Sequence, residues 1–376
     1  MNFGKFEMVH MSKIKCAVVG VGNCFAGLVQ GIEYYKQHPE QEVVGVMHKE
    51  VGGYSIYDIE FVAAFDVDSK KVGQPLNKAV YAQPNKVRWV QSLSSMGDVT
   101  VKQSPQFDGV GSYVQKVVNP VKERPAEELK KEIMKELKDK KVEIIVSYLP
   151  VGADQATKFW AQVCLDAKVA FVDCMPSFIG SDREWAEKFK KAGLPIVGDD
   201  IKGQVGATIV HRTLARLCDD RGTKIEKTYQ INVGGNTDFL SMKEQERLHS
   251  KKISKTESVQ SQLKQRLPDE NIYVGPSDFI PFLSNTKLMF MRIEGRMWAN
   301  IPYNMEVRLE VDDKANSAGI VIDAIRACRL GLDRKIAGPL LGPSAYLMKH
   351  PIEQMSDSEA RAEFERFIEG KEFRKY

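Results

Sequence analysis

Lys251, Lys252 and Lys255 stand within one short segment. If that segment is helical, Lys251 and Lys255 lie four apart and project their ammonium groups the same way. Their repulsion disfavours an empty site, and an anionic ligand would relieve it. Crowded or buried ammonium groups also have lowered pKa values, which suits them to proton transfer. By itself a lysine run is ordinarily a solvated face, so these residues need elements that enclose them.

A second candidate is Gly20-Val21-Gly22-Asn23-Cys24, which follows the apolar run IKCAVVG (residues 14–20) and opens a helical stretch. Gly20 permits a tight turn, Gly22 lets backbone approach a pyrophosphate, and the helix start supplies free N–H groups with a partial positive charge. A strict GxGxxG would need glycine at position 25, where Phe25 stands, and Gly27 comes two residues later. Asp66 ends the next apolar run, FVAAFD. It would accept hydrogen bonds from the adenosine ribose hydroxyls, favouring NAD over NADP. Asp68 is an alternative ribose partner, since an Asp at a strand end is often a turn former. Asp66 falls further along the chain than the usual spacing of about 20 residues, and an inserted loop over residues 45–57 accounts for that.

The elements that must position these residues alternate. The strand at 14–20 and a helix from Cys24 to Lys36 precede the strand Phe61 to Asp66. Residues 85–120 read as loops with short elements. A charged helix over 125–141 carries Leu129, Ile133, Met134 and Leu137 on one stripe. There follow a strand at 142–149, a helix at 154–167, a strand at 169–174, a helix opened by Ser181 and Glu184 at capping-box spacing, and a strand at 195–197. This predicts a doubly wound parallel sheet. After about residue 220 the pattern changes. Lys224 to Val233 reads as a strand, and Tyr303 to Val311 alternates apolar and polar residues as a half-buried strand does. Helices resume at Ser317 and again at Ser356, where Glu359 stands at capping-box spacing.

Composition bounds the rest. With 376 residues the expectation is two domains. A net charge of +4, from 54 basic and 50 acidic residues, gives no support for a nucleic-acid partner. The six cysteines, Cys16, Cys24, Cys164, Cys174, Cys218 and Cys328, contain no CxxC pair. They point to a reducing cytoplasm, with Cys24 a small packing residue. No His/Asp/Glu cluster has ligand spacing, so no metal is predicted from the residues. His211, on an apolar helix, reads as a core or interface group. No window approaches the ~18 apolar residues of a membrane span, and residues 1–15 contain no signal-peptide core.

GVGNCFAGLVQGIEYY (20–35), VGDDIKGQVGATIVHR (197–212), NVGGNTDFLSM (232–242), SKKISKTESVQSQL (250–263), DDKANSAGIVIDAIR (312–326) and SAYLMKHP (344–351) occur in order along the chain. Together they resemble the archaeal and bacterial branch of the myo-inositol-1-phosphate synthases. The resemblance implies an NAD-dependent isomerase that converts D-glucose 6-phosphate to 1D-myo-inositol 3-phosphate and ends with its cofactor unchanged. It implies a Rossmann-like α/β unit over 1–203 and 312–376, with 1–12 a flexible arm. Residues 204–311 would be an inserted α+β unit for catalysis and tetramer formation.

By the same resemblance Lys251 and Lys349 sit at the reacting oxygens of C5 and C1, and Lys255 and Lys287 contact substrate oxygens, the phosphate among them. Lys255 or the substrate phosphate is the proton acceptor. Asp200 faces the nicotinamide or the lysines, while Asp199 stays ambiguous between function and a turn. Asn232 and Asp238 match substrate-hydroxyl and active-site positions, and Asp313 matches a carboxylate that holds a lysine. The cofactor contacts are Gly20, Gly22, Asn23, Cys24, Asp66, Ser147 and Asp200, and Gly206 would help cradle phosphate. Some relatives are assisted by a monovalent or divalent cation. Two departures stand out: Gly203 where a serine is expected, and Lys314-Ala315 where Ser-Pro is common, read as a minor loop change. The residues also admit a simple sugar or amino-acid dehydrogenase, or an NAD-binding regulator in which Gly203 marks lost catalysis.

Overall fold

The computed structural model describes residues 13–275 and 278–376, so the arm expected at residues 1–12 lies outside them. The chain opens with β1 (Ile14–Val19), α1 (Asn23–Gln37), β2 (Ile59–Asp66), a one-turn α2 (Leu76–Ala79) and β3 (Val101–Gln103). It continues with α3 (Ala126–Asp139), β4 (Ile144–Ser147), α4 (Asp154–Ala167), β5 (Ala170–Asp173), α5 (Arg183–Ala192) and β6 (Pro195–Val197).

Alternate residues of a strand point to opposite faces, and in β1 both faces are buried. Cys16 and Val18 pack with Phe25 and Leu28 of α1, while Ala17 and Val19 pack with Leu129 of α3 and Trp160 of α4. A strand covered on both sides reads as an unbroken apolar run, as IKCAVV does. In α3 the buried stripe is Leu129, Ile133 and Leu137. One expectation about capping is corrected. Asp182, not Ser181, caps α5, accepting from Glu184 N and Trp185 N; the Ser181 hydroxyl is drawn away to the Asp199 carboxylate at 2.6 Å.

The chain then builds a second sheet. Its elements are α6 (Ala207–Asp220), β7 (Lys224–Gly234), α7 (Thr237–Ser241), α8 (His249–Gln260), β8 (Ile272–Val274), β9 (Asp278–Phe279), β10 (Thr286–Arg296) and β11 (Pro302–Asp312). The strand order is β11-β10-β7-β8, with β9 also beside β7. β7 and β11 both run antiparallel to β10, with Met289 opposite Asn232 on one side and Leu309 on the other. The predicted alternation of β11 is present: Tyr303, Met305, Val307 and Leu309 pack on the cluster that includes Ala215 of α6 and Val259 of α8.

Finally α9 (Ala315–Asp333) returns to the first sheet, followed by β12 (Gly338–Pro339), α10 (Leu341–Leu347) and α11 (Asp357–Glu369). The first sheet is parallel throughout, in the order β12-β6-β5-β4-β1-β2-β3. The direction of winding reverses between β1 and β4, and in open α/β sheets the crevice beyond that point is where ligands bind. Among the described residues no helix is long and apolar enough to cross a membrane.

Candidate active site

One cavity runs from the end of β1 to α8. At its first end the wall is the glycine turn. Gly20 has φ +89°, and a Cβ there would meet the Tyr148 carbonyl oxygen at 2.7 Å, so only glycine fits. Gly22 precedes α1 in an extended conformation, and a Cβ there would meet nothing within 4 Å. Its backbone is therefore open to close approach, with the unpaired N–H groups of α1 behind it.

Asp66 lines the cavity and ties the turn together. Its Oδ2 accepts from Val21 N at 2.7 Å, and its Oδ1 accepts from Val67 N and Asp68 N at 2.7 and 2.9 Å. Asp68 is fully buried and off the wall, which separates the two ribose candidates. Asn23 accepts from Lys86 N at 2.6 Å and donates to Thr237 Oγ1 at 3.3 Å, joining the turn to α7. Cys24 also lines the cavity. Burial pushes its thiol pKa up, and Lys314 only partly offsets this, so the group stays protonated. Ser147 is buried at the end of β4 and is not on the wall; Tyr148 and Leu149 beyond it are. An open glycine backbone, a helix start and a strand-end carboxylate fit a dinucleotide.

The other end is charged. α8 presents Lys251 and Lys255 with Ser254 between them, all buried, while Lys252 is on its exposed side. Asp200, beyond β6, accepts from Lys349 Nζ at 2.7 Å through Oδ1 and from Ser254 Oγ at 2.6 Å through Oδ2. Main-chain bonds between 199–200 and 349–350 fix that pair: Lys349 N donates to Asp200 O at 2.7 Å and Asp199 N to His350 O at 3.1 Å. The Asp199 carboxylate accepts from Gly180 N, Ser181 N and Ser181 Oγ.

Asn236 caps α7 and so places Asp238, which meets Lys251 at 3.3 Å. Asn236 Nδ2 also donates to Asp313 Oδ2 at 3.1 Å. Asp313, just past β11, pairs with Lys287 at 3.4 Å and with Lys314 at 2.8 Å.

Lys251, Lys255, Lys287, Lys349, Asp200, Asp238 and Asp313 thus share one cavity although they are scattered along the chain. Asn232 does not reach it. Its Nδ2 donates to Gly275 O at 2.6 Å, and Gln230, two residues earlier on the same strand face, lines the cavity instead.

Burial and crowding tune these groups. Burial lowers the Lys255 pKa well below the usual lysine value, and the charges on Lys251, Lys287 and Lys349 push the same way. Among the described residues no carboxylate lies within ion-pair distance of Lys255. Burial also lowers Lys349, partly offset by Asp200. Burial raises Asp200, but Lys349 and Lys251 outweigh it and hold the carboxyl below its ordinary range. The same balance, led by Lys251 for Asp238 and by Lys314 for Asp313, keeps both ionised. The arrangement offers several fixed ammonium donors and one, Lys255, whose charged form burial and neighbouring lysines disfavour.

Gly203 and Gly206 both line the cavity. A Cβ on Gly203 would meet Asn316 Nδ2 at 3.0 Å, and Asn316 Oδ1 accepts from Val205 N at 2.9 Å. A side-chain amide therefore stands beside the position where a serine is expected. Lys314, Ser254 and Gln230 join the site without a sequence signal, apart from the Asp-Lys dipeptide at 313–314. Lys202 is near but turned away, its Nζ donating to Ala345 O at 2.7 Å and pairing with Asp357 at 3.2 Å. His211 is buried with Nε2 2.8 Å from Thr228 Oγ1, a core group as expected.

Comparison with known proteins bears on the same residues. A family profile described as myo-inositol-1-phosphate synthase matches residues 206–314. Inositol-3-phosphate synthase of Mycolicibacterium smegmatis is 49% identical over 366 residues, covering 96% of this chain and 99% of the relative. Inositol-3-phosphate synthase of Corynebacterium glutamicum is 46% identical over 363 residues, covering 95% and 98%. A solved myo-inositol-1-phosphate synthase-related protein from Thermotoga maritima superposes with a TM-score of 0.81 at 23% identity, covering 96% of this chain and 100% of that one, which shows a shared fold. Identity at this level over nearly the whole length establishes the relationship: the chain belongs to the myo-inositol-1-phosphate synthase family.

Proposed function

We propose that this protein is an inositol-3-phosphate synthase that converts D-glucose 6-phosphate to 1D-myo-inositol 3-phosphate. The observation that carries the reading is one cavity that joins a dinucleotide turn to a buried lysine–aspartate set. Gly20, Gly22, Asn23 and Asp66 would hold NAD, which when bound takes a hydride from C5 of the substrate and returns it at the end.

The remaining chemistry falls to the side chains. Oxidation at C5 leaves a carbonyl that acidifies the C6 protons. Lys255, whose charged form is disfavoured by burial and by the lysines around it, takes one of them, or the substrate phosphate does. Lys251 donates to the C5 oxygen as enolate charge develops there. Lys349 donates to O1 as C6 attacks the C1 aldehyde and that oxygen becomes anionic. Fixed ammonium donors in a water-poor site stabilise such oxyanions strongly. Lys287 and Lys255 meet the phosphate. Asp200, Asp238 and Asp313 orient Lys349, Lys251 and Lys287. With Asn232 turned to Gly275, Gln230 is the better candidate to contact a substrate hydroxyl.

We assign catalysis and oligomer contacts to residues 204–311 and cofactor binding to residues 1–203 with 312–376. Tyr229, Ile231 and Phe290 are exposed on the outer face of the second sheet, which supports a homotetramer built through it. A cytoplasmic location accords with the free cysteines. Mixing protein, NAD⁺ and glucose 6-phosphate and following products by phosphorus NMR tests the reading. Inositol phosphate should appear without accumulation of NADH. Stoichiometric NADH with no inositol phosphate would show a dehydrogenase instead, and tight NAD binding with no turnover would show a regulator.

A further inference from the structure

Lys314 is a buried cation for which the mechanism above has no task, and its placement points to the cofactor. It is 3% exposed and lines the cavity together with Gly22, Asn23 and Cys24. Its Nζ donates to Asp313 Oδ2 at 2.8 Å and to Cys24 Sγ at 3.4 Å. A Cβ on Gly27 would stand 3.1 Å from the Lys314 Cβ, so the lysine packs against α1 where glycine leaves room. The ammonium therefore sits at the N-terminal end of α1.

That is an expensive place for a cation. Burial opposes the charged form, and the start of a helix carries positive partial charge. Asp313 offsets the cost directly and Asp238 from further away, so that despite burial the Lys314 pKa lies above the usual lysine range. An ammonium has three donors. Asp313 takes one and the thiol, a weak acceptor, takes another. Donor capacity remains at the cavity wall, beside the α1 N–H groups that also seek an anion. The anion that fits between a glycine turn, a helix start and a fixed ammonium is a pyrophosphate.

A free cation has little to bind here. Among the described residues no group of three or more His, Cys, Asp or Glu side chains gathers around one point. The two carboxylates nearest Lys314 are each met by lysine: Asp313 by Lys287 and Lys314, and Asp238 by Lys251.

We propose that Lys314 is a pyrophosphate-binding residue and the resident cation of this site, so that NAD binding needs no added metal ion. The inference rests on the NAD-binding part of the reading above, and not on the synthase chemistry.

Calorimetric titration with NAD⁺ tests it without turnover. After chelator treatment, in a buffer whose cation is tetramethylammonium, the wild-type protein should bind NAD⁺ within about twofold of its affinity in Mg²⁺ and K⁺. Lys314→Met, which keeps the stem and removes the charge, should weaken NAD⁺ and ADP-ribose alike by about tenfold to a hundredfold. Lys314→Ser, which leaves Asp313 short of a partner, should regain part of the loss when Mg²⁺ is added. A wild-type protein that needs metal to bind NAD⁺, a Met variant of unchanged affinity, or a Ser variant indifferent to Mg²⁺ would overturn the proposal. Should both variants fail to fold, the chelation result on the wild type decides. NAD⁺ binding in the expected pattern without inositol phosphate formation would leave this inference standing and remove the synthase reading. Absence of NAD⁺ binding would remove both.

Discussion

At the end of β1 the cavity wall is mostly backbone, and along α8 it is mostly charge. The turn at Gly20 and Gly22 offers N–H groups and empty space, held by one carboxylate, Asp66, that is itself occupied with main-chain donors. The far end offers Lys251, Lys255, Lys287 and Lys349, restrained by Asp200, Asp238 and Asp313. The contrast matches two tasks. A dinucleotide needs a shaped cradle of backbone donors with one fixed cation beside it, whereas a reacting phosphosugar needs several donors where charge will develop and an amine that can move a proton.

The largest expected effect breaks one end and spares the other. Lys255→Met and Lys349→Ala should each lower turnover by on the order of 10²–10⁴-fold, with calorimetric NAD⁺ affinity nearly unchanged. Loss of both together would show that the two ends are not separable. At the turn, Gly20→Ala should cost about 1–3 kcal/mol in a urea melt, because φ +89° and the Tyr148 carbonyl both oppose a side chain. Gly22→Ala should leave stability within about 0.5 kcal/mol yet weaken NAD⁺, since its methyl fills space meant for ligand.

A smaller effect concerns pH. Lys255 is lowered by burial and by its lysine neighbours, so activity should rise with pH through a limb below the ordinary lysine pKa of about 10.4. Lys287→Met removes one repelling charge and should move that limb upward. A limb that stays put would point to the substrate phosphate as the base. A separate pH effect, on stability and not on activity, lies beneath the second sheet. Burial lowers the His211 pKa to about 4, against about 6.5 unfolded. The folded state therefore favours the neutral ring. Its contribution to stability is complete above pH 6.5 and is lost as pH falls toward 4. His211→Gln should flatten that part of a pH–stability curve, and an unchanged curve would remove His211 as the cause.

The two ends also differed in how far the sequence revealed them. The turn is local: glycines, an apolar strand and Asp66 state their geometry within contiguous residues. The inserted loop before β2 accounts for the long spacing from the glycines to Asp66. The lysine end is made by topology, which brings residues 200, 238, 251, 255, 287, 313 and 349 together from six segments. No local pattern encodes that, and only the family resemblance named the set.

What local sequence conceals follows the same division. β10 is the strand that joins β7 to β11, but its consecutive Leu288-Met289-Phe290-Met291 hides the alternation in which Met289, Met291 and Ile293 are buried. Asn232 shares a strand face with Gln230, and in the structure its amide meets Gly275 while Gln230 lines the cavity. Lys314 reads in sequence as a minor loop change, because its burial against α1 depends on Gly27, far away in the chain.

The central claim is that one molecule of substrate is oxidised and re-reduced inside a single cavity. Glucose 6-phosphate carrying deuterium at C5 tests it most directly, with NAD⁺ present in excess. The account predicts inositol phosphate that keeps the deuterium on the same carbon, with none washed into the NAD pool. Product lacking the label, or labelled NADH released into solution, would contradict it.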